Sequence, residues 1–111
     1  MSLFPIAQAE RAGWQRRAAT ELAALLDTHP DLPLIAWTVG PAGATLTGQI
    51  PGLAPSSQVR AGFAAWQAAL GIDEHTETPG GPGVAYLRAL THRNRVRVGL
   101  AATVFADGHN R

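Results

Sequence analysis

Asp73, His75 and Glu77 recur at every second position of the segment Asp73-Glu74-His75-Thr76-Glu77. In an extended strand that spacing puts two carboxylates and an imidazole on one side. Hard or borderline cations accept such a donor set. No second histidine stands at ligand spacing nearby, so the segment is read as a solvated edge strand whose charge discourages pairing. Neither a metal nor a cofactor is expected. A second cluster, Arg88, His92, Arg93, Arg95 and Arg97, crowds one short stretch around Tyr86 and Leu90. Planar five-donor guanidiniums suit phosphate, carboxylate and aromatic partners. Beside a tyrosine they could hold nucleic acid, the arginines on phosphates and the ring on a base. Ser56-Ser57 lacks the strand, Gly-x-Ser-x-Gly, helix setting of a nucleophile elbow. It is read as helix capping. The run Pro79-Gly80-Gly81-Pro82-Gly83 is rich in glycine but leads into a strand, and no lysine follows. It is therefore a flexible loop rather than a phosphate cradle. No Ser/His/Asp or Cys/His set can be assembled from spacing, which points away from an enzyme.

These residues need a ribbon to position them. Val84 to His92 reads as one strand and Arg95 to Phe105 as the next, with Arg93-Asn94 near the turn. Side chains alternate across a strand. One face then carries Ala85, Leu87, Ala89, Thr91, Val96, Val98, Leu100, Ala102 and Val104, a core face. The other carries Val84, Tyr86, Arg88, Leu90, His92, Arg95, Arg97, Ala101, Thr103 and Phe105. That mixture is too apolar for a purely solvated surface and too basic for a buried one. It predicts a surface on which something packs. Tyr86, Leu90 and Phe105 are expected at its apolar centre, with arginines at the rim, as in an interface core with a polar border.

The rest of the chain builds the support. Pro5 to about Asp27 reads as a helix with Ile6, Trp14, Ala18, Leu22, Leu25 and Leu26 on one stripe, stopped by His29-Pro30-Asp31-Leu32-Pro33. Leu34 to Val39 and Ala44 to Ile50 alternate as strands across a Gly40-Pro41-Ala42-Gly43 turn and predict an antiparallel hairpin. After the Pro51 to Pro55 connector, Val59, Phe63, Trp66 and Leu70 make a clean helical stripe that ends at Gly71. Trp14, Trp37 and Trp66 are all expected in the core. Asp73 to Thr78 is the edge strand, and Asp107 to Arg111 a short tail. His29, His75, His92 and His109 fall in or beside loops and strand ends, where exposure is the default. The order α-β-β-α-β-β-β predicts an α+β domain. Two helices cover one face of an antiparallel sheet of four or five strands.

The chain has 111 residues, a length suited to a single domain over residues 1–111. It has no cysteine, so disulfides and thiolate metal sites are excluded. A formal charge of +1 makes no demand for nucleic acid or an anionic membrane. Met1-Ser2-Leu3-Phe4-Pro5 does not read as a secretory signal, and no apolar run reaches the ~18 residues of a membrane span. A cytoplasmic protein is expected. All nine basic residues are arginine. Together with segments such as Glu21-Leu22-Ala23-Ala24-Leu25-Leu26 and Val59-Arg60-Ala61-Gly62-Phe63, this composition resembles that of small actinobacterial proteins, streptomycete ones above all. The resemblance is one of style and implies no activity and no functional residue. The expected function is that of a non-enzymatic interaction protein, a homodimer acting through the mixed face of Tyr86, Arg88, Leu90, His92, Arg95, Arg97 and Phe105. The runner-up is a nucleic-acid-binding or regulatory accessory protein using Arg88, Arg93, Arg95 and Arg97. A third reading is a small-ligand binder or enzyme with a pocket between helix and sheet.

Overall fold

A computed structural model describes residues 4–40 and 43–106, with side chains from residue 8 onward. The predicted positions of Ile6, Pro41, Ala42 and the tail 107–111, including His109 and Arg111, lie outside the described side chains. Helix α1 spans Phe4–Thr28 and α2 Ser56–Ala69. The strands are β1 (Ala36–Val39), β2 (Thr45–Gln49), β3 (Thr76–Gly81), β4 (Val84–Arg93) and β5 (Val96–Phe105). They form one sheet in the order β1-β2-β5-β4-β3. The fold is α+β, in the element order the sequence predicts.

The ribbon places the core. β5 alternates buried and accessible residues along its whole length. It is central in the sheet, so the buried set of Val96, Val98, Leu100, Ala102 and Val104 forms the floor on which both helices rest. α2 presents Val59, Gly62, Phe63 and Trp66 to that floor. Trp66 is 2% exposed, and its Nε1 donates to the Pro33 carbonyl at 2.8 Å. Trp37 packs edge-on against it at 5.3 Å between ring centroids. These contacts join α2 to β1 and to the segment that precedes it.

Several expectations need correction. The sheet is mixed rather than wholly antiparallel, because β2 pairs parallel to β5, Thr45 beside Arg97 and Gln49 beside Ala101. Leu34 lies before β1 and is almost fully exposed. The first half of the run read as a loop, Pro79 to Gly81, is strand: it continues the pairing with β4, with a bulge between Pro79 and Gly81. The turn shrinks to Pro82-Gly83, where Gly83 has φ +72°, a region glycine enters at little cost. Pro55, not a serine, occupies the N-cap of α2, and Ser56 and Ser57 lie in its first turn. Leu70 takes the C-cap and Gly71 follows with φ +71°.

α1 differs most from its predicted stripe. Ala18, Glu21 and Leu25 are buried, Leu22 is half-buried, and Leu26 is exposed. The face is thus rotated so that a glutamate turns inward. No residue of 8–17 is buried, and Trp14 is only half-buried and outside the core cluster. Glu21 meets Arg93 and Asn94 at the β4–β5 turn, so the preceding turns of α1 run past the end of the sheet. The molecule is accordingly drawn out to 63 Å in its longest dimension. Its radius of gyration is 16.4 Å, against about 13 Å for a compact chain of this size.

One ion pair ties α2 to the edge strand. Both terminal nitrogens of Arg60 donate to the Glu77 carboxylate, at 3.0 and 2.9 Å. The hydrogen-bonded guanidinium holds the Glu77 carboxyl below the usual carboxylate range. A lowered native pKa means that the unfolded chain takes up the proton first as the solution is acidified. The contribution is therefore complete above the unfolded carboxylate pKa and is lost as pH falls through the lowered native value. The pair is exposed and its contribution small. Replacing Glu77 with glutamine is expected to lower the melting temperature slightly at pH 7 and not at all at pH 2, as thermal scans at the two pH values would read. An equal effect at both would remove the charge from the explanation.

Candidate interaction face

With both helices on one side, the other side of the sheet is bare. Register places its residues. On β4 they are Val84, Tyr86, Arg88, Leu90 and His92, and on β5 their partners Phe105, Thr103, Ala101, Gly99 and Arg97. Thr45 and Thr47 of β2 extend the row beside Arg97 and Gly99. Thr76 and Thr78 of β3 extend it beside Arg88 and Tyr86. The two-face reading of the ribbon holds for every residue of β4 and β5 it named, with Arg95 displaced. Val96 pairs with Arg93, so Asn94 and Arg95 form a two-residue turn with φ +50° and +66°. That is the left-handed pair a tight hairpin requires. Arg95 therefore sits at the tip and not on the face.

The arginine cluster divides. Arg93, last in β4, points to the helix side, where its Nε donates to the Glu21 carboxylate at 3.3 Å and Nη1 to the Leu70 carbonyl at 3.5 Å. It is committed to the fold. Arg88 and Arg97 remain on the bare face, and among the described residues neither makes an ion pair.

The apolar centre expected around Tyr86, Leu90 and Phe105 divides as well. Val84 lies opposite Phe105 and Tyr86 opposite Thr103; the Tyr86 ring covers Gly80 of β3, and the Phe105 ring edge lies beside Gly52. Phe105 is 50% exposed and Tyr86 40%. Arg88 stands between Tyr86 and Leu90 along β4, and Leu90 faces Gly99. One end of the face is thus apolar and uncharged. The other is a trough of about 660 Å³, lined among others by Arg88, Leu90, Arg97, Gly99, Thr47 and Glu74. This concavity lies on the open side of the sheet and not between helix and sheet, where the third reading placed a pocket.

His75 and Glu77, weighed in the sequence as metal donors, are each engaged elsewhere. The His75 ring packs edge-on against Phe63 at 5.3 Å, and Glu77 is held by Arg60. Among the described residues no group of three histidine or carboxylate side chains is close enough to share an ion. No described helix is long and apolar enough to cross a membrane.

Sequence reasoning missed the trough because β2 supplies Thr45 and Thr47, and its parallel pairing with β5 was not foreseen. One signal was available: Gly99 interrupts an otherwise β-forming strand, and an isolated strand glycine marks a bulge or a close approach of another group. No family model, curated protein or solved structure matches the chain.

Proposed function

We propose that the protein is a non-enzymatic interaction module that pairs with a second copy of itself through the apolar end of its bare sheet face. The observation that carries this is the lack of charge among Val84, Tyr86, Thr103 and Phe105 on a sheet covered on one side only. A two-fold contact sets each patch against its own copy, so like charges within the patch would repel. On this face Arg88, two residues along β4 from Tyr86, falls at the border, where solvent screens it. The two aromatic side chains supply the contact area, as is usual at interfaces. Burying the exposed parts of Phe105 and Tyr86 from both copies removes on the order of 350 Å² of mostly apolar surface, worth about 9 kcal/mol before association costs. Those costs are about 4–15 kcal/mol. The expected dimer is therefore weak and concentration-dependent.

Sedimentation across a broad range of protein concentration tests it. The wild type is expected to self-associate, and Phe105→Asp to stay monomeric with unchanged circular dichroism. Leu90→Asp, which alters the trough end, is expected to dimerise like the wild type. A wild-type chain that remains monomeric at millimolar concentration contradicts the proposal. Salt-sensitive retention of the wild type on immobilised DNA, lost in an Arg95→Ala, Arg97→Ala double variant, would favour the nucleic-acid reading instead.

A further inference from the structure

Of the four glycines in the strands, Gly81 has φ +135°, a region that favours glycine; the other three invite the same question, and two of them have an answer inside the chain. A Cβ on Gly48 would come within 2.8 Å of Ile35 Cδ1 and 3.0 Å of the Trp37 ring, so the core requires the space. A Cβ on Gly80 would overlap the Tyr86 ring, which covers that edge glycine. Gly99 has no such reason. Its φ is negative or extended, and a Cβ there would meet only the Ala89 carbonyl at 3.8 Å and Leu90 Cδ1 at 3.9 Å, ordinary contacts. The central strand of the sheet thus keeps an unfilled position at mid-length that its own packing does not require, although glycine weakens a strand interior.

That position faces the trough. Leu90 stands across from it on β4, and Thr47 beside it on β2. Arg97 lies two residues before it, and Arg88 opposite Ala101 two residues after. Thr45 and Thr76 add hydroxyls, and Glu74 adds one carboxylate to the lining. The volume, about 660 Å³, is in the range of small-molecule sites, roughly 300–1,000 Å³. Among the described residues neither guanidinium makes an ion pair, and the two outweigh the single carboxylate of the lining. Guanidinium forms its strongest hydrogen bonds with carboxylate or phosphate oxygens. The Leu90 side chain and the bare backbone at Gly99 offer an apolar surface between them.

We infer that the trough is a binding site for a small amphipathic anion, its carboxylate or phosphate held by Arg88 or Arg97 and its apolar body laid over Gly99 against Leu90. The site is complete in a single chain and does not rest on the proposed dimer, whose apolar patch is at the other end of the face.

The test is titration of the full chain with octanoate and with octyl phosphate, below their micellar concentrations, followed by calorimetry and by backbone amide shifts. Saturable binding is expected, with shifts centred on residues 45–47 and 97–101. Arg88→Gln combined with Arg97→Gln is expected to weaken it by roughly tenfold or more, as loss of charge-assisted hydrogen bonds implies. Gly99→Leu should fill the floor and weaken it at least as much. That variant has room for its Cβ, and unchanged circular dichroism and melting would verify that it folds. Phe105→Asp is expected to bind normally, so failure of the dimer and failure of the site are distinguishable. The inference is overturned if the wild type shows no saturable binding. It is equally overturned if octanol binds as well as octanoate, if inorganic phosphate alone binds as well as octyl phosphate, or if Gly99→Leu binds as the wild type does.

Discussion

Replacing Trp66 with alanine is expected to cost about 4 kcal/mol, since truncating a buried tryptophan typically costs 3–5 kcal/mol. The ring is 2% exposed. Alanine would remove the edge contact to Trp37 at 5.3 Å and that to His29 at 6.3 Å. It would also leave the Pro33 carbonyl without the indole donor now 2.8 Å away. His29 and Pro33 lie on the chain between α1 and β1, and Trp37 lies in β1 itself, so the substitution unfastens α2 from that linker and strand as well as opening a cavity. A domain of this size has about 5–15 kcal/mol of total stability, so the variant should be at or near the limit of folding at 37 °C. Trp66→Phe separates the two effects. It keeps a large ring and loses the donor; Pro33 is exposed and its carbonyl can take a water instead, so the lost hydrogen bond is expected to cost about 1 kcal/mol. Urea denaturation of the wild type and both variants would give the two values. A loss below 1 kcal/mol for Trp66→Ala would show that α2 is held elsewhere.

Trp66 was legible in the sequence because α2 carries a pure period-3.6 stripe, and nothing polar interrupts Val59, Phe63, Trp66 and Leu70. The β4–β5 ribbon was legible for the corresponding reason with period two. A register read from hydrophobic alternation cannot slip by one residue without turning Val98 and Leu100 to solvent. Pairing between distant strands leaves no such trace. β2 and β5 are both alternating, and neither pattern says that they lie side by side or in which direction. The trough depends on that pairing, and so its threonines were not found. Charged groups were misread or missed where tertiary contacts override local preference. Arg93 belonged by spacing to a basic tip, yet the two-residue turn after it leaves it paired with Val96 on the helix side. Glu21 was assigned to no face of α1 from the sequence. Its burial follows only from the helix lying over the hairpin end, where Arg93 and Asn94 supply donors.

That contact carries the second large expected effect. Glu21 is 5% exposed, and both of its oxygens are engaged: Oε1 accepts from Asn94 Nδ2 at 2.6 Å and Oε2 from Arg93 Nε at 3.3 Å. The turn it holds is a demanding one. Asn94 and Arg95 both have positive φ, and arginine, unlike asparagine, is seldom found there. One carboxylate thus closes the β4–β5 hairpin and fixes the point from which α1 runs past the sheet. Breaking a buried ion pair by removing one partner costs about 3–5 kcal/mol. The Arg93 side chain is 37% exposed and can rehydrate, so a smaller loss, about 2 kcal/mol, is expected for Glu21→Ala. Glu21→Gln should lose about half of that, because its amide oxygen still accepts from Asn94 while the charge opposite Arg93 is gone. Arg95→Gly, which relieves the left-handed arginine, should restore part of the stability in the Glu21→Ala background, since Gly occupies that region without strain. Hydrogen exchange adds a spatial check. Amides of residues 92–97 and of α1 before Ala18 should lose protection in Glu21→Ala, while those of α2 keep it. If the variant stays within 0.5 kcal/mol of wild type and exchange is unchanged at the turn, the helix is not anchored through the hairpin, and the projecting half of α1 needs another explanation.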